Sequence, residues 1–202
     1  MAEKLRIAVL GSTRGTDLQA IIDAASRKEL DAQIVLVASD RNDAYILERA
    51  KTHGIETLFV DYKKYAARAD AEKIIVQKLR EKKADLVLLI GFMKIISPYF
   101  VSAFRARMWN IHPSLLPKYA GGMDNGVHAQ VLRNGEKETG CTLHEVSEQV
   151  DAGKIILQKK TRIEKGDNAQ TLKAKVQKLE QECLLEAIKM CTEGRLSIGE
   201  QK

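Results

Sequence analysis

Leu86-Val87-Leu88-Leu89-Ile90 is an unbroken apolar run between Asp85 and Gly91, and no other feature limits the possible folds so firmly. A strand without polar alternation must be covered on both faces, as strands are inside a parallel sheet flanked by helices. The preceding residues agree. Leu5-Arg6-Ile7-Ala8-Val9-Leu10 reads as a strand that breaks at Gly11-Ser12-Thr13-Arg14-Gly15-Thr16 and resumes as a helix with Leu18, Ile21, Ile22 and Ala25 on one side. Further strands are expected over 34–37 and 57–60, and helices over 44–52 and 67–82, the latter with Ile74, Ile75 and Leu79 on one side. This alternation predicts an α/β fold, a doubly wound and mostly parallel sheet with right-handed crossovers. The 202 residues are read as one domain, with enough chain to bury a sizeable core.

The pattern changes after Pro117. A short helix over 127–132 leads to a strand over 139–146 that alternates as if half-exposed, and 153–158 reads as its partner, giving an antiparallel C-terminal part. A long amphipathic helix follows over 169–191, and Arg195-Leu196-Ser197-Ile198 reads as a final short strand.

Trp109-Asn110-Ile111-His112-Pro113-Ser114-Leu115-Leu116-Pro117-Lys118-Tyr119 holds two of the three prolines in the chain. Asn110 and His112 are two apart in what reads as a strand end, so in extended backbone both side chains leave on one face. Pro113 pushes His112 toward extended geometry and holds the pair there. The plainer reading is a strand end followed by a rigid turn. Leu116-Pro117 is the candidate for a cis bond.

Open parallel sheets bind ligands beyond the carboxyl ends of their strands. Three stretches fall there: the Gly11-to-Thr16 loop, Gly91-Phe92-Met93-Lys94, and the Asn110/His112 pair. The first suits an anion, because a glycine turn feeding a helix presents free N–H groups and a positive dipole end. It matches neither GxxxxGK[ST] nor GxGxxG, which disfavours a nucleoside-triphosphate loop and a dinucleotide cofactor. Phe92, Met93, Ile95 and Ile96 offer apolar surface beside it. Asp151 sits in a turn, and its interest depends on whether the fold brings it to His112. His53 reads as a helix-end residue, His144 as a strand residue able to face solvent, and His128 as one that could approach the site.

Composition narrows the partners. The formal charge is +6, yet Lys and Arg are mixed with Glu and Asp, only 5% of residues are aromatic, and no nucleic-acid-binding pattern appears. No apolar run approaches the length of a membrane span and no signal-peptide pattern opens the chain, so a cytoplasmic location is expected. Cys141, Cys183 and Cys191 show neither CxxC nor zinc spacing, and no metal is expected.

Taken together, Asn110-Ile111-His112-Pro113-Ser114-Leu115-Leu116-Pro117-Lys118-Tyr119 resembles the signature of the folate-dependent formyltransferases. The likeness extends to 17–22, 91–98, Val150-Asp151-Ala152-Gly153 and 176–180, nearly the whole chain. The resemblance implies a Rossmann-like formyltransferase fold. It also implies transfer of a formyl group from 10-formyltetrahydrofolate, as co-substrate and without metal, to the amine of glycinamide ribonucleotide in purine synthesis. By the same resemblance Asn110, His112 and Asp151 match the catalytic trio, with Asp151 supporting His112 through an ordered water. Gly15, Thr16 and Asp17 match the substrate phosphate loop, Gln177 and Glu180 the phosphate-side and ribose contacts, and Phe92, Met93, Lys94, Ile95 and Val150 the folate pocket, with Arg68 near the folate tail. Partners are then small-molecule substrates alone, with neither nucleic acid nor membrane, for a monomer or homodimer.

Departures from the family pattern are as informative. Its usual loop is Ser-Gly-x-Gly-Ser-Asn, whereas here Asp17 stands where Asn is common. A carboxylate would repel phosphate, so Asp17 is expected to turn away to cap or brace, leaving N–H groups and Arg14 to bind. Lys94 replaces a frequent Arg, and the 120–127 segment is longer than usual and keeps one histidine, His128. Sugar-nucleotide formyltransferases are the alternative within the family. Its members with an added N- or C-terminal domain fit less well, because the first strand starts by Leu5 and the chain ends at Lys202. A nucleotide-binding regulatory protein would leave Asn110, His112 and Asp151 idle, and a serine hydrolase on His112 and Ser114 lacks a GxSxG elbow.

Overall fold

Alternation within β1 (Leu5–Leu10) sends Ile7 and Val9 to one face of the sheet and Ala8 and Leu10 to the other, and all four are fully buried. The computed structural model describes residues 3–122 and 124–199, together with the backbone but not the side chains of Asp124 and Asn125. Beside β1 lie β2 (Ala32–Ser39), β3 (Thr57–Phe59), β4 (Leu86–Leu89), β5 (Met108–His112), β6 (Glu138–Glu145) and β7 (Ile155–Arg162), in a 7-stranded sheet ordered β3-β2-β1-β4-β5-β6-β7. Pairing is parallel from β3 through β5 and antiparallel from β5 through β7.

Helices cover both faces, so the two apolar sides of β4 are each used. On one side α1 (Thr16–Ser26), α2 (Tyr45–Thr52) and α6 (Ala169–Thr192) pack on Ile7, Val9, Leu86, Leu88 and Trp109. On the other, α3 (Arg68–Glu81) and α4 (Pro98–Ala103) pack on Ala8, Leu10, Val87, Leu89 and Met108. Burying a side chain such as Leu88 contributes about 1.5–3 kcal/mol, and both layers are built from such residues. α5 (Asp124–Arg133) leads into β6, while α6 is fixed at its start by a reciprocal capping box between Asn168 and Thr171. The Leu116–Pro117 bond is cis. No described helix is long and apolar enough to cross a membrane.

The antiparallel part departs most from expectation. β6 is buried from Thr139 through His144 rather than half-exposed, because α6 covers its Cys141 and Leu143 face and β5 and β7 flank it. β7 runs to Arg162, past the expected 158; it is the sheet edge, and its polar run Lys159-Lys160-Thr161-Arg162 hid the extension. Residues 195–198 form no strand. The Arg195 and Leu196 amides bond back to the Met190 carbonyl after a turn at Gly194, which leaves them unavailable to a ladder.

Candidate active site

β1 and β4 are neighbours in the sheet, yet α1 leaves β1 toward one face while the chain after β4 leads to α4 on the other. The strand ends therefore open a cleft, a cavity of about 370 Å³ beyond β1, β4 and β5. Its rim is stitched together by Ser12, whose N–H donates to the Gly91 carbonyl at 3.1 Å while its Oγ accepts from the Met93 N–H at 2.9 Å and donates to Asp40. Gly15 caps α1 with φ +66°, and the Ile46 side chain fills the space a Cβ would need, so only glycine fits the turn.

At the centre of the cleft, Asn110 and His112 share one face of β5. Antiparallel pairing sets Asn110 opposite His144 and His112 opposite Thr142. Asp151 reaches the same point from the turn after β6, in a left-handed conformation at φ 53°. Its Oδ2 lies 3.3 Å from His112 Nδ1 and accepts the Gly121 N–H at 2.8 Å, while Oδ1 lies 3.4 Å from both the Asn110 amide nitrogen and His144 Nε2. The Asp151–His112 contact is therefore direct, without an intervening water. Gly153 makes this turn possible, since a Cβ there would collide with the Glu145 carbonyl.

His144 corrects the sequence reading: it is buried, and it is part of the cluster. Its Nδ1 lies 2.8 Å from the Glu145 carbonyl oxygen, an acceptor only, so Nδ1 carries a hydrogen. In that tautomer Nε2 accepts from the Asn110 amide at 3.0 Å and fixes which way that amide points. The signal was present in the sequence as a histidine two residues beyond Thr142 on an alternating strand. Only the cross-strand register turns that spacing into a contact with Asn110.

Two acceptors bracket His112. Its Nε2 donates to the Tyr119 carbonyl at 3.1 Å, which places the carboxylate of Asp151 against Nδ1. Burial pushes the imidazole below its ordinary value, while Asp151 and the Tyr119 carbonyl pull it back up. Burial also pushes the Asp151 carboxyl up, but His144, the Gly121 N–H and His112 outweigh it and hold the group below the usual carboxylate range. The result is an ionised carboxylate beside a ring one proton short of a full hydrogen bond.

The α1 end of the cavity is lined by Arg14, Gly15, Thr16 and Asp17, faced by Gln177 and Glu180 from α6. Gln177 donates to the Thr16 hydroxyl. Arg14 stacks over the Tyr45 ring at 5.7 Å. Asp17 does not cap α1, which has no side-chain cap; its carboxyl takes a hydrogen bond from Gln181 of α6, a brace between the two helices, while it is 6% exposed and its Oδ1 has no hydrogen-bond partner. It also lines the cavity.

The opposite end is apolar and open. Met93, Ile95 and Val150 are 37%, 54% and 45% exposed, a cluster of bare hydrophobic surface on the cavity wall, with Phe92 beside it. Lys94 Nζ lies 3.8 Å from Asp40 and over the Tyr62 ring. Arg68 is not on this wall; its guanidinium donates to the Ile95 carbonyl at 2.6 Å and braces the loop from outside. His128 is buried and borders the cavity, while His53 ends α2 and pairs with Gln19 away from it. The expectation about the lengthened 120–127 segment falls partly on Met123, outside the described residues. Among the described residues no group of His, Cys, Asp or Glu is arranged to hold a metal ion.

Comparison with known proteins agrees with this architecture. The Formyl transferase family model matches residues 5–188, and the chain belongs to that family. Within it, the chain is 38% identical over 196 residues to the phosphoribosylglycinamide formyltransferase of Escherichia coli K12, covering 97% of this chain and 91% of that one. Glycinamide ribonucleotide transformylase 1 from Symbiobacterium toebii superposes with a TM-score of 0.92 at 38% identity, covering 98% of this chain and 92% of that one. A trifunctional purine biosynthetic protein from Bos taurus is 40% identical over 198 residues, of which this chain spans 19%.

Proposed function

We propose that this chain, acting as a single formyltransferase domain, transfers the formyl group of 10-formyltetrahydrofolate to the amine of glycinamide ribonucleotide. The observation that carries the reading is the convergence of Asn110, His112 and Asp151 midway along a cavity with an anion-binding end and an apolar end. The backbone N–H groups at Gly15, Thr16 and Asp17 suit the substrate phosphate, with Gln177 and Glu180 as its phosphate-side and ribose contacts. The wall of Phe92, Met93, Lys94, Ile95 and Val150 suits a planar pterin.

Amine attack forms a C–N bond at the formyl carbon, and the carbonyl π pair moves onto oxygen. The Asn110 amide donates to that oxyanion by exchanging its long 3.4 Å contact with Asp151 for a shorter, stronger one. The attacking nitrogen gives its proton to the His112–Asp151 pair, so the imidazole becomes cationic as the oxyanion develops beside it. Collapse restores the carbonyl, breaks the bond to N10 of the folate, and returns the proton to N10. This chemistry involves small molecules alone, in the cytoplasm, in a monomer or homodimer.

The test is a formyl-transfer assay with 10-formyltetrahydrofolate and competing acceptors. Turnover with glycinamide ribonucleotide, and none with tRNA or amino-sugar nucleotides, is expected; selective turnover of an amino-sugar nucleotide would move the chain to another branch of the family.

A further inference from the structure

Asp17 is an ionisable group on the cavity wall whose environment the proposed reaction does not explain. It sits in the first turn of α1, at the end of the cavity where the phosphate is proposed to lie, and it is buried with Oδ1 unpartnered. The helix that carries it is fixed in place, because Leu18 and Ile21 are buried beneath it and the Gly15 turn is closed by Ile46. An ionised carboxylate held there would oppose any phosphate arriving at the helix N-terminus.

Its surroundings give the charge little help. The Gln181 side chain hydrogen-bonds the carboxyl. The titratable groups lining the same cavity are Arg14 from the loop, which is stacked on Tyr45, Lys173 and Glu180 from α6, His128 from α5, the central His112, His144 and Asp151, and Lys94 and Glu148. The strand ends below contribute Leu89 and Ile90, and α2, packed beside α1, adds no described residue to this wall.

We propose that Asp17 enters the substrate complex as a neutral carboxylic acid whose O–H donates a hydrogen bond to a phosphate oxygen of the acceptor, so that phosphate capture takes up a proton. The inference rests on the reading above that a phosphate ester occupies this end of the cavity. Burial already pushes the Asp17 carboxyl up to about 7, against the weaker pull of Gln181, and a neighbouring phosphate raises it further. A residue that would repel the substrate becomes a hydrogen-bond donor to it, and its protonation makes binding depend on pH. An asparagine at this position would donate at any pH.

The experiment is calorimetric titration of glycinamide ribonucleotide into the wild type and Asp17→Asn between pH 7 and 9, in buffers of different ionisation enthalpy. Protonation of the substrate is common to both proteins, so their ratio isolates Asp17. The wild type is expected to take up more proton than the variant, about half of one at pH 7 and close to one at pH 8 to 9, and its affinity relative to the variant to fall by up to about tenfold per pH unit above neutrality. Parallel profiles with equal proton uptake would overturn the role of Asp17. Ribose 5-phosphate carries the phosphate end alone and separates the two ideas: if it binds with the same proton linkage while glycinamide ribonucleotide does not bind, the acceptor is wrong and the Asp17 role stands. If neither ligand binds a wild type shown to be folded by thermal melting, both fall. Should Asp17→Asn fail to fold, Asp17→Ser supplies a donor that does not ionise in this range and is read in the same way.

Discussion

The two ends of the cleft each hold a buried aspartate, and the two are opposites. Asp151 accepts from the Gly121 N–H and the Asn110 amide, lies against the rings of His112 and His144, and is held ionised. Asp17 has Gln181 and one oxygen with no partner, and is held largely neutral up to about pH 7. The residue type is the same, so the difference comes from backbone placement: a left-handed turn aims Asp151 into a cluster of polar side chains, whereas the first turn of α1 presses Asp17 against α6. One fold can thus offer a base-like and an acid-like carboxyl at the same pH.

The largest effect should come from emptying the ionised end. Asp151→Asn keeps the shape but removes the charge opposite His112, and loss of the carboxylate from an aspartate–imidazole pair lowers kcat by as much as about 10⁴. Steady-state kinetics with unchanged folding by melting checks it; a fall of less than tenfold would break the contrast between the two aspartates. The same variant reads the linkage. Folding lowers the Asp151 pKa, so the carboxylate stabilises the protein above its unfolded value of 3.8 and that contribution is lost as pH falls through the folded value. The stability gap between wild type and variant should therefore close in acid.

Asp17→Asn should behave in the opposite sense. Folding raises the Asp17 pKa from 3.8 to about 7, so the stability of the neutral carboxyl is complete below the lower value and lost as pH rises through the upper one. The variant escapes that loss. It should match the wild type near pH 4 and exceed it at pH 8 to 9, by at most about 4 kcal/mol for a shift of this size. Denaturant melts across pH measure this, and a gap that does not widen with pH would make the two aspartates equivalent after all.

The parallel half of the fold was legible because its strands announce themselves. Leu86 to Leu89 carry no polar residue and have no alternative to burial, and β1 with its glycine loop repeats a well-known strand–turn–helix pattern. The Asn110/His112 pair was legible for the same local reason, two residues on one strand face. What was not legible depends on register between distant segments. His144 is 34 residues from Asn110 and opposite it only once β6 pairs with β5. Asp17 read as a repelled side chain because sequence shows its charge but not the burial that removes it. The expected strand at 195–198 failed because Leu196 and Ile198 reach the core as a loop, which an apolar pattern alone cannot distinguish from an edge strand.

His144→Ala is a gentler test of the ionised end. It removes the acceptor that points the Asn110 amide while leaving Asn110, His112 and Asp151 in place. Misplacing a catalytic donor by about 1 Å can cost on the order of 10² in rate, so kcat should fall by about 10- to 100-fold with a smaller change in KM. Equal changes in both would assign His144 to packing.

The smallest expected effect lies at the neutral end, in Gln181→Leu. Gln181 lowers the proton affinity of Asp17 against the larger effect of burial. Its removal should leave stability in mild acid nearly unchanged, because a neutral carboxyl loses only an uncharged hydrogen bond of about 1 kcal/mol. The ionised form loses a charge-assisted one, roughly twice as strong, so the midpoint of the Asp17-linked stability change should move to higher pH by less than about one unit. A downward shift would mean that Gln181 accepts a hydrogen bond from the acid rather than donating one to the carboxylate. Its amide would then be what holds the Asp17 proton in place, and the contrast with Asp151 would rest on a single side chain instead of on burial.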